Sequence, residues 1–327
     1  MTRSEQPVSS LALGAGLATV YVIWGSTYLA IRFAVETLPP LLMAGVRFLI
    51  AGSLLYGWAR WRGVARPTRR EWGWSAVVGA LLLLGGNGLV CLAETRVPSG
   101  LTALLVAMVP LWMVVLEALR PGGSAPPRRV WWGIGLGLVG VAFLVGPSSL
   151  VGGEGVDPIG ALTLTAATLL WAAGSLVSRG AGLPASPRMS TALQMLTGGG
   201  LLVVVGLALG EGGRFDAAAA SPKSLLALGY LIVFGALAGF SAYVWLLRVA
   251  SPALVGTYAF VNPVVAVLLG WALAGEALSP RIGLAAGLIV GAVALITGMR
   301  RRPPRRLEPC PPPDPLEPVP LRGRRVA

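Results

Sequence analysis

No histidine occurs anywhere in the chain. That removes a common metal ligand and the side chain best suited to proton transfer near neutral pH. Aspartate is nearly as scarce: Asp157, Asp216 and Asp314 are the whole set, and each falls between or beyond the long apolar stretches. A catalytic dyad or a metal cluster inside a bilayer has almost no material to work with, so no catalytic residue, no metal and no cofactor is expected. The two cysteines, Cys91 and Cys310, are too few and too differently placed to form a disulfide framework. No G-x-x-x-x-G-K-S/T run is present, so ATP is not expected to drive the protein directly. The run "GLGLVG", Gly135 to Gly140, fits dinucleotide-binding spacing. It lies within one apolar stretch, not between a strand and a helix, and reads as a helix-packing face. Charge of both signs is also short, at 12% of residues, against about 25% in ordinary soluble domains.

What remains is apolar: 55% of the 327 residues are hydrophobic, and 45 glycines and 26 prolines accompany them. A bilayer core takes about 20 apolar residues per helix. Ten segments of that kind are found, at 11–31, 40–59, 72–92, 97–118, 130–147, 158–178, 190–210, 222–246, 252–272 and 281–299. The expected fold is therefore an all-α integral membrane protein with ten transmembrane helices. Residues 1–10 lack the positive region of a signal peptide, so the first segment reads as a retained span. Residues 300–327, rich in proline and arginine, have too little apolar content to pack and read as a disordered tail. The net charge of +13 sits between spans and in that tail, with no folded basic domain to carry it, so nucleic acid is not an expected partner. With the N-terminus in the cytoplasm, 20 basic residues fall on the cytoplasmic side and 5 on the other. Both termini are then cytoplasmic by the positive-inside rule.

The two halves resemble each other. Trp24-Gly25-Ser26 in the first span meets Trp171 to Ser175 in the sixth, at the same depth. Aligning the fourth span on the ninth without gaps brings Pro110 onto Pro263. Five is odd, so a duplicated five-helix unit inserts with inverted topology, an architecture of secondary transporters with the site between the halves. The repeats are residues 11–147 and 158–299.

The order of motifs also resembles the drug/metabolite transporter superfamily, in its EamA-domain family. The carriers are "WGSTYLAIRF", "AGVRFLIAG", "GNGLVCLAE", "VPSGLTALLVAMVPLW" and "NPVVAVLLGWALAGEAL", over roughly residues 12–299. The resemblance implies a multi-pass exporter in a bacterial inner membrane, moving small metabolites, amino acids or drugs. Members usually carry glutamine after the glutamate of span three; this chain has Thr95 there.

A helix facing only lipid has no use for a run such as Trp24 to Tyr28, because polar side chains in a bilayer need partners inside the protein. Two readings fit it: a packing notch at Gly25 and Ser26, or a cavity wall. The candidate substrate-binding residues are Trp24, Thr27, Tyr28, Asn87, Trp171, Ser175, Tyr243, Tyr258 and Asn262. Arg47, about 10 Å into span two at 1.5 Å per residue, and Glu94 are the intramembrane charges. The two are expected either to lie near each other or to leave Glu94 free to exchange a proton. Pro110 and Pro263 are candidate kinks or gates, since proline frees a carbonyl one turn back. The expected activity is secondary-active transport by alternating access, coupled to protons. A channel or uncoupled facilitator is the alternative, although no charged ring or filter is visible. A membrane-embedded enzyme is the remoter one. The expected partners are a small-molecule substrate, the lipid bilayer and protons. Oligomeric state stays open.

Overall fold

The computed structural model describes residues 9–120, 128, 131–133, 135–137, 139–140, 157–250 and 258–297. Most of the segment expected at 130–147, the start of that at 252–272, and the tail at 300–327 lie outside the described residues. Within them the chain is helical, with no strand. The helices are α1 (Ser10–Ala34), α2 (Pro40–Trp61), α3 (Arg69–Ala93), α4 (Ser99–Leu119), α5 (Pro158–Gly180) and α6 (Pro187–Ala208). They continue with α7, built of Pro222–Tyr230, Leu231–Gly239 and Phe240–Val249, then α8 (Tyr258–Ala274) and α9 (Pro280–Thr297). Seven of these are long and apolar enough to cross a membrane, and α8 and α9 contain shorter apolar stretches. Large apolar side chains such as Leu162, Val204, Leu226 and Leu284 stand exposed on the bundle's surface. Such a surface suits lipid.

The starts of the helices follow local chemistry. Proline opens α2, α5, α6, α7 and α9, where a missing N–H costs nothing. Thr68 and Glu71 form a reciprocal capping box at α3, with Thr68 Oγ1 accepting from the Glu71 N–H at 3.2 Å. Asp157 caps α5, accepting from the Ile159 N–H at 2.8 Å and from Arg96 Nη1 at 3.1 Å. Arg96 holds the Asp157 carboxyl below the usual carboxylate range, and the Ile159 N–H adds to that. The contribution of this cap is complete above the unfolded value of about 3.9 and is lost as the pH falls through the lower folded value. In Asp157→Asn, the acid limb of a plot of melting temperature against pH should flatten below about pH 4. Superimposable curves for the two proteins would remove this account.

Two helices leave regular α geometry at related places. Ala80–Gly88 of α3 and Leu231–Gly239 of α7 are wound as wide π-helices, a form frequent at functional sites. Another helix, α4, is interrupted at Ala107–Met108, just before Pro110. The equivalent Pro263 lies inside α8, which runs on through it.

The pairing of helices carries over when the two halves are exchanged. α1 packs on α8, and α5 on α4; α1 packs on α7, and α5 on α3; α2 packs on α7, and α6 on α3. α2 and α6, equivalents of each other, form the most extensive pair. Glycine sets that approach: a Cβ on Gly45 would stand 3.0 Å from the Gly199 carbonyl, and one on Gly199 would stand 3.1 Å from the Gly45 carbonyl.

Candidate functional site

The run from Trp24 to Tyr28 divides by face. Gly25 is a packing notch: a Cβ there would lie 2.7 Å from Val265 Cβ on α8. Ser26 shares a 2.6 Å hydrogen bond with the Tyr230 hydroxyl on α7, so it too serves the interface. Trp24, Thr27 and Tyr28 instead face an internal cavity of about 100 Å³. Thr27 satisfies its hydroxyl by donating to the Trp24 carbonyl at 2.7 Å. One side of α1 here serves packing and the other lines the cavity.

The same cavity is lined by Asn87 of α3, Trp171 of α5, Tyr258 and Asn262 of α8, and both Pro110 and Pro263. Arg47 of α2 reaches it as well. Two candidates do not line it. Ser175 turns its hydroxyl back to the Trp171 carbonyl at 2.8 Å, as a serine in a helix commonly does. Tyr243 stands behind the wall, its ring centroid 4.9 Å from that of Trp24. With Phe240 at 5.3 Å and Tyr258 at 5.4 Å, both edge-on, Trp24 sits in an aromatic cluster that fixes its ring.

Each tryptophan of the matched pair rests on a glycine of a wide helical turn in the other half. A Cβ on Gly239 would stand 2.5 Å from Trp24 Nε1, and one on Gly86 would stand 2.7 Å from Trp171 Cε3. The interval from Gly86 to Gly239 is the one from Pro110 to Pro263. The two π-helices, the two glycines and the two indole rings therefore form one repeated arrangement.

Ile31, Val90, Ala103, Val106, Ala107, Val109 and Phe240 also line the cavity and were not anticipated. Some could have been found by extending helical faces: Ile31 follows Thr27 by four residues, and Val90 follows Asn87 by three. Phe240 is the repeat equivalent of Asn87, by the interval that relates the prolines. Among the described residues, no aspartate, glutamate, lysine or cysteine lines the cavity.

Arg47 and Glu94 make no ion pair with each other among the described residues. Each lies within electrostatic range of the other. Yet Nε and Nη1 of Arg47, and both carboxylate oxygens of Glu94, are buried with no hydrogen-bond partner among the described residues. Glu94 is held by its backbone, whose carbonyl accepts from Arg32 Nη1 at 2.5 Å. Its side chain is fully buried but does not line the cavity.

A bundle of membrane-length helices, repeated in two halves and enclosing a partly polar cavity, is the build of a multi-pass membrane transporter. The EamA-like transporter family model matches the chain twice, at residues 12–146 and 158–298, and the protein belongs to that family. It is 43% identical to the "Uncharacterized inner membrane transporter YedA" of Escherichia coli K12, over 88% of this chain and 91% of that one. A Bacillus subtilis protein, "Uncharacterized transporter YvbV", is 27% identical over 84% of this chain and 87% of its own length. The "Probable amino-acid metabolite efflux pump" of E. coli K12 is 28% identical over 49% of this chain and 51% of its own. One solved crystal structure superposes with a TM-score of 0.62 at 23% identity, covering 90% of this chain and all 100% of that one, which shows the fold. The chain is a multi-pass inner-membrane transporter with a small-molecule substrate, and it sits in the lipid bilayer.

Proposed function

We propose that the protein is a secondary-active exporter of small metabolites, amino acids or drugs, working by alternating access. In this reading ten spans form two five-helix halves of opposite insertion, with both termini cytoplasmic. Support comes from the exchange symmetry of the helix pairs and from the double family match. The observation that carries the reading is the cavity itself, walled by Trp24 and Trp171 from equivalent positions of the two halves. A site built from both halves changes its exposure when the halves rock against each other.

Coupling to protons is the second part of the proposal, with Glu94 as the carrier. Its two oxygens are buried and unpartnered, and Arg32, Arg47 and Glu276 are the charges that act on it. A carboxyl so placed exchanges a proton only when a conformational change admits water.

Purified protein in liposomes, offered a panel of amino acids and hydrophobic cations with and without a pH gradient, tests both parts. Saturable uptake is expected, with the Michaelis constant raised several-fold in Trp24→Ala and in Trp171→Ala. Glu94→Gln is expected to abolish the response to the gradient. Uptake that is saturable but indifferent to pH in the wild type would make the protein an uncoupled facilitator. Non-saturable flux would make it a channel.

A further inference from the structure

We infer that the cavity recognises its substrate through a carboxylate held on Arg47, and that it selects small organic anions and zwitterions over hydrophobic cations. The inference rests on the reading of the cavity as the substrate site.

Arg47 is 3% exposed and lines the cavity, and two of its nitrogens, Nε and Nη1, are buried without a partner. A buried guanidinium lacking hydrogen-bond acceptors is costly, and proteins normally pair it. Among the described residues no carboxylate side chain lines the cavity to do so, and Glu94, the nearby acid, has both oxygens unpartnered too. An anionic group entering the cavity supplies the acceptor that Nε and Nη1 lack among the described residues.

The guanidinium is also held in position. A Cβ on Gly235 of the wide turn in α7 would stand 3.1 Å from Nη2, so α7 backs the group closely. Its Cζ lies 4.8 Å from the Phe48 ring centroid. Nε and Nη1 point from different edges of the guanidinium, so each offers a separate charge-assisted N–H to an anionic oxygen such as a carboxylate's. The rings of Trp24, Trp171 and Tyr258 in the same wall suit a flat apolar body on the same molecule. The single formal charge among the described lining residues is positive, so a lipophilic cation entering the cavity meets repulsion from it.

Three probes sharing one skeleton test the idea: phenylacetate, neutral phenylacetamide and phenethylammonium. Each is titrated calorimetrically into purified full-length protein in lipid nanodiscs. The wild type should bind phenylacetate at least about tenfold more tightly than phenylacetamide, the range of a charge-assisted hydrogen bond, and phenethylammonium most weakly. Arg47→Gln should lose the preference, so that the acid and the amide bind alike. Arg47→Lys should keep a reduced preference for the acid, which serves if the glutamine variant does not fold. Equal binding of all three probes by the wild type, weakened by Trp24→Ala, would overturn the anion inference and leave the cavity as the site. Phenylacetate binding that neither Trp24→Ala nor Arg47→Gln weakens would overturn both. Failure of phenylacetate to bind at millimolar concentration would overturn the inference as well.

Discussion

Gly79→Leu should yield no folded protein in the membrane. Gly79 is on α3 where it meets α6, and the opposing surface is backbone together with the Thr197 hydroxyl. A Cβ at Gly79 would stand 2.8 Å from the Gln194 carbonyl oxygen and 3.0 Å from the Gly198 nitrogen. The contact is reciprocal, since a Cβ at Gly198 would stand 2.8 Å from the Gly79 carbonyl. Across the same seam Thr197 Oγ1 donates to the Ser75 carbonyl at 3.0 Å. No side-chain rotation relieves a clash with backbone, so α3 and α6 must separate. Helices in lipid associate largely through such close packing, because burial of apolar surface gives no preference for protein over lipid tails. A cost beyond about 3 kcal/mol is expected, above the usual range for overpacking. Gly73→Leu is the control, on the same helix at an exposed position with nothing within 4 Å. Size-exclusion profiles and melting curves of the two variants in detergent decide the matter. If Gly79→Leu elutes and melts like the wild type, the close approach of α3 to α6 is wrong.

Much of this bundle was legible because its determinants are local. Apolar length marks the spans, and Pro40, Pro158, Pro187, Pro222 and Pro280 mark starts of helices, where proline is tolerated. Trp24, Thr27, Tyr28, Asn87 and Trp171 stood out as polar or aromatic interruptions of apolar runs, and all five line one cavity. Ser175 looked equivalent to Ser26 at the level of sequence. Both hydroxyls bond a carbonyl of their own helix, and the difference is that Tyr230 also stands opposite Ser26. The wide turns of α3 and α7 left no trace in composition. Each has an indole ring from a distant helix resting on its Gly86 or Gly239, and a tertiary contact of that kind has no local signature. Two cross-half carboxylate caps were likewise invisible as contacts. Their local device was present all the same, as a Gly-Glu pair directly after a helix end.

Glu276→Ala should cost about 2–3 kcal/mol of stability, because it strips a helix N-terminus of its acceptor. α4 begins after Pro98, which has no side chain able to cap it. The cap comes instead from the other half. Glu276 Oε1 accepts from the Ser99 N–H and the Ser99 hydroxyl, both at 2.7 Å, and Oε2 accepts from the Gly100 N–H at 3.0 Å. The carboxylate also lies where the helix dipole favours negative charge. Gly275 makes this possible, since its φ of +66° turns the chain sharply after α8. α2 repeats the arrangement. It begins after Pro39, and Glu211, which follows Gly210 at φ +78°, accepts from the N–H groups of Leu41 and Leu42. In both cases a helix end of the second half grips the start of its own equivalent in the first half. The matching turn at the end of α2 has Gly63 at φ +79°, but Val64 follows it. No carboxylate is offered there. At that end α2 and α6 meet instead through a buried apolar cluster of Ala59, Met189 and Leu193, against which Val64 packs. Glu276→Gln, which keeps an acceptor oxygen and loses the charge, should fall between wild type and Glu276→Ala in melting temperature. Glu211→Ala should destabilise by a similar amount. Were Glu276→Ala to melt with the wild type, the donors at Ser99 and Gly100 would be satisfied by other means, and the tie between the halves would have to be sought elsewhere.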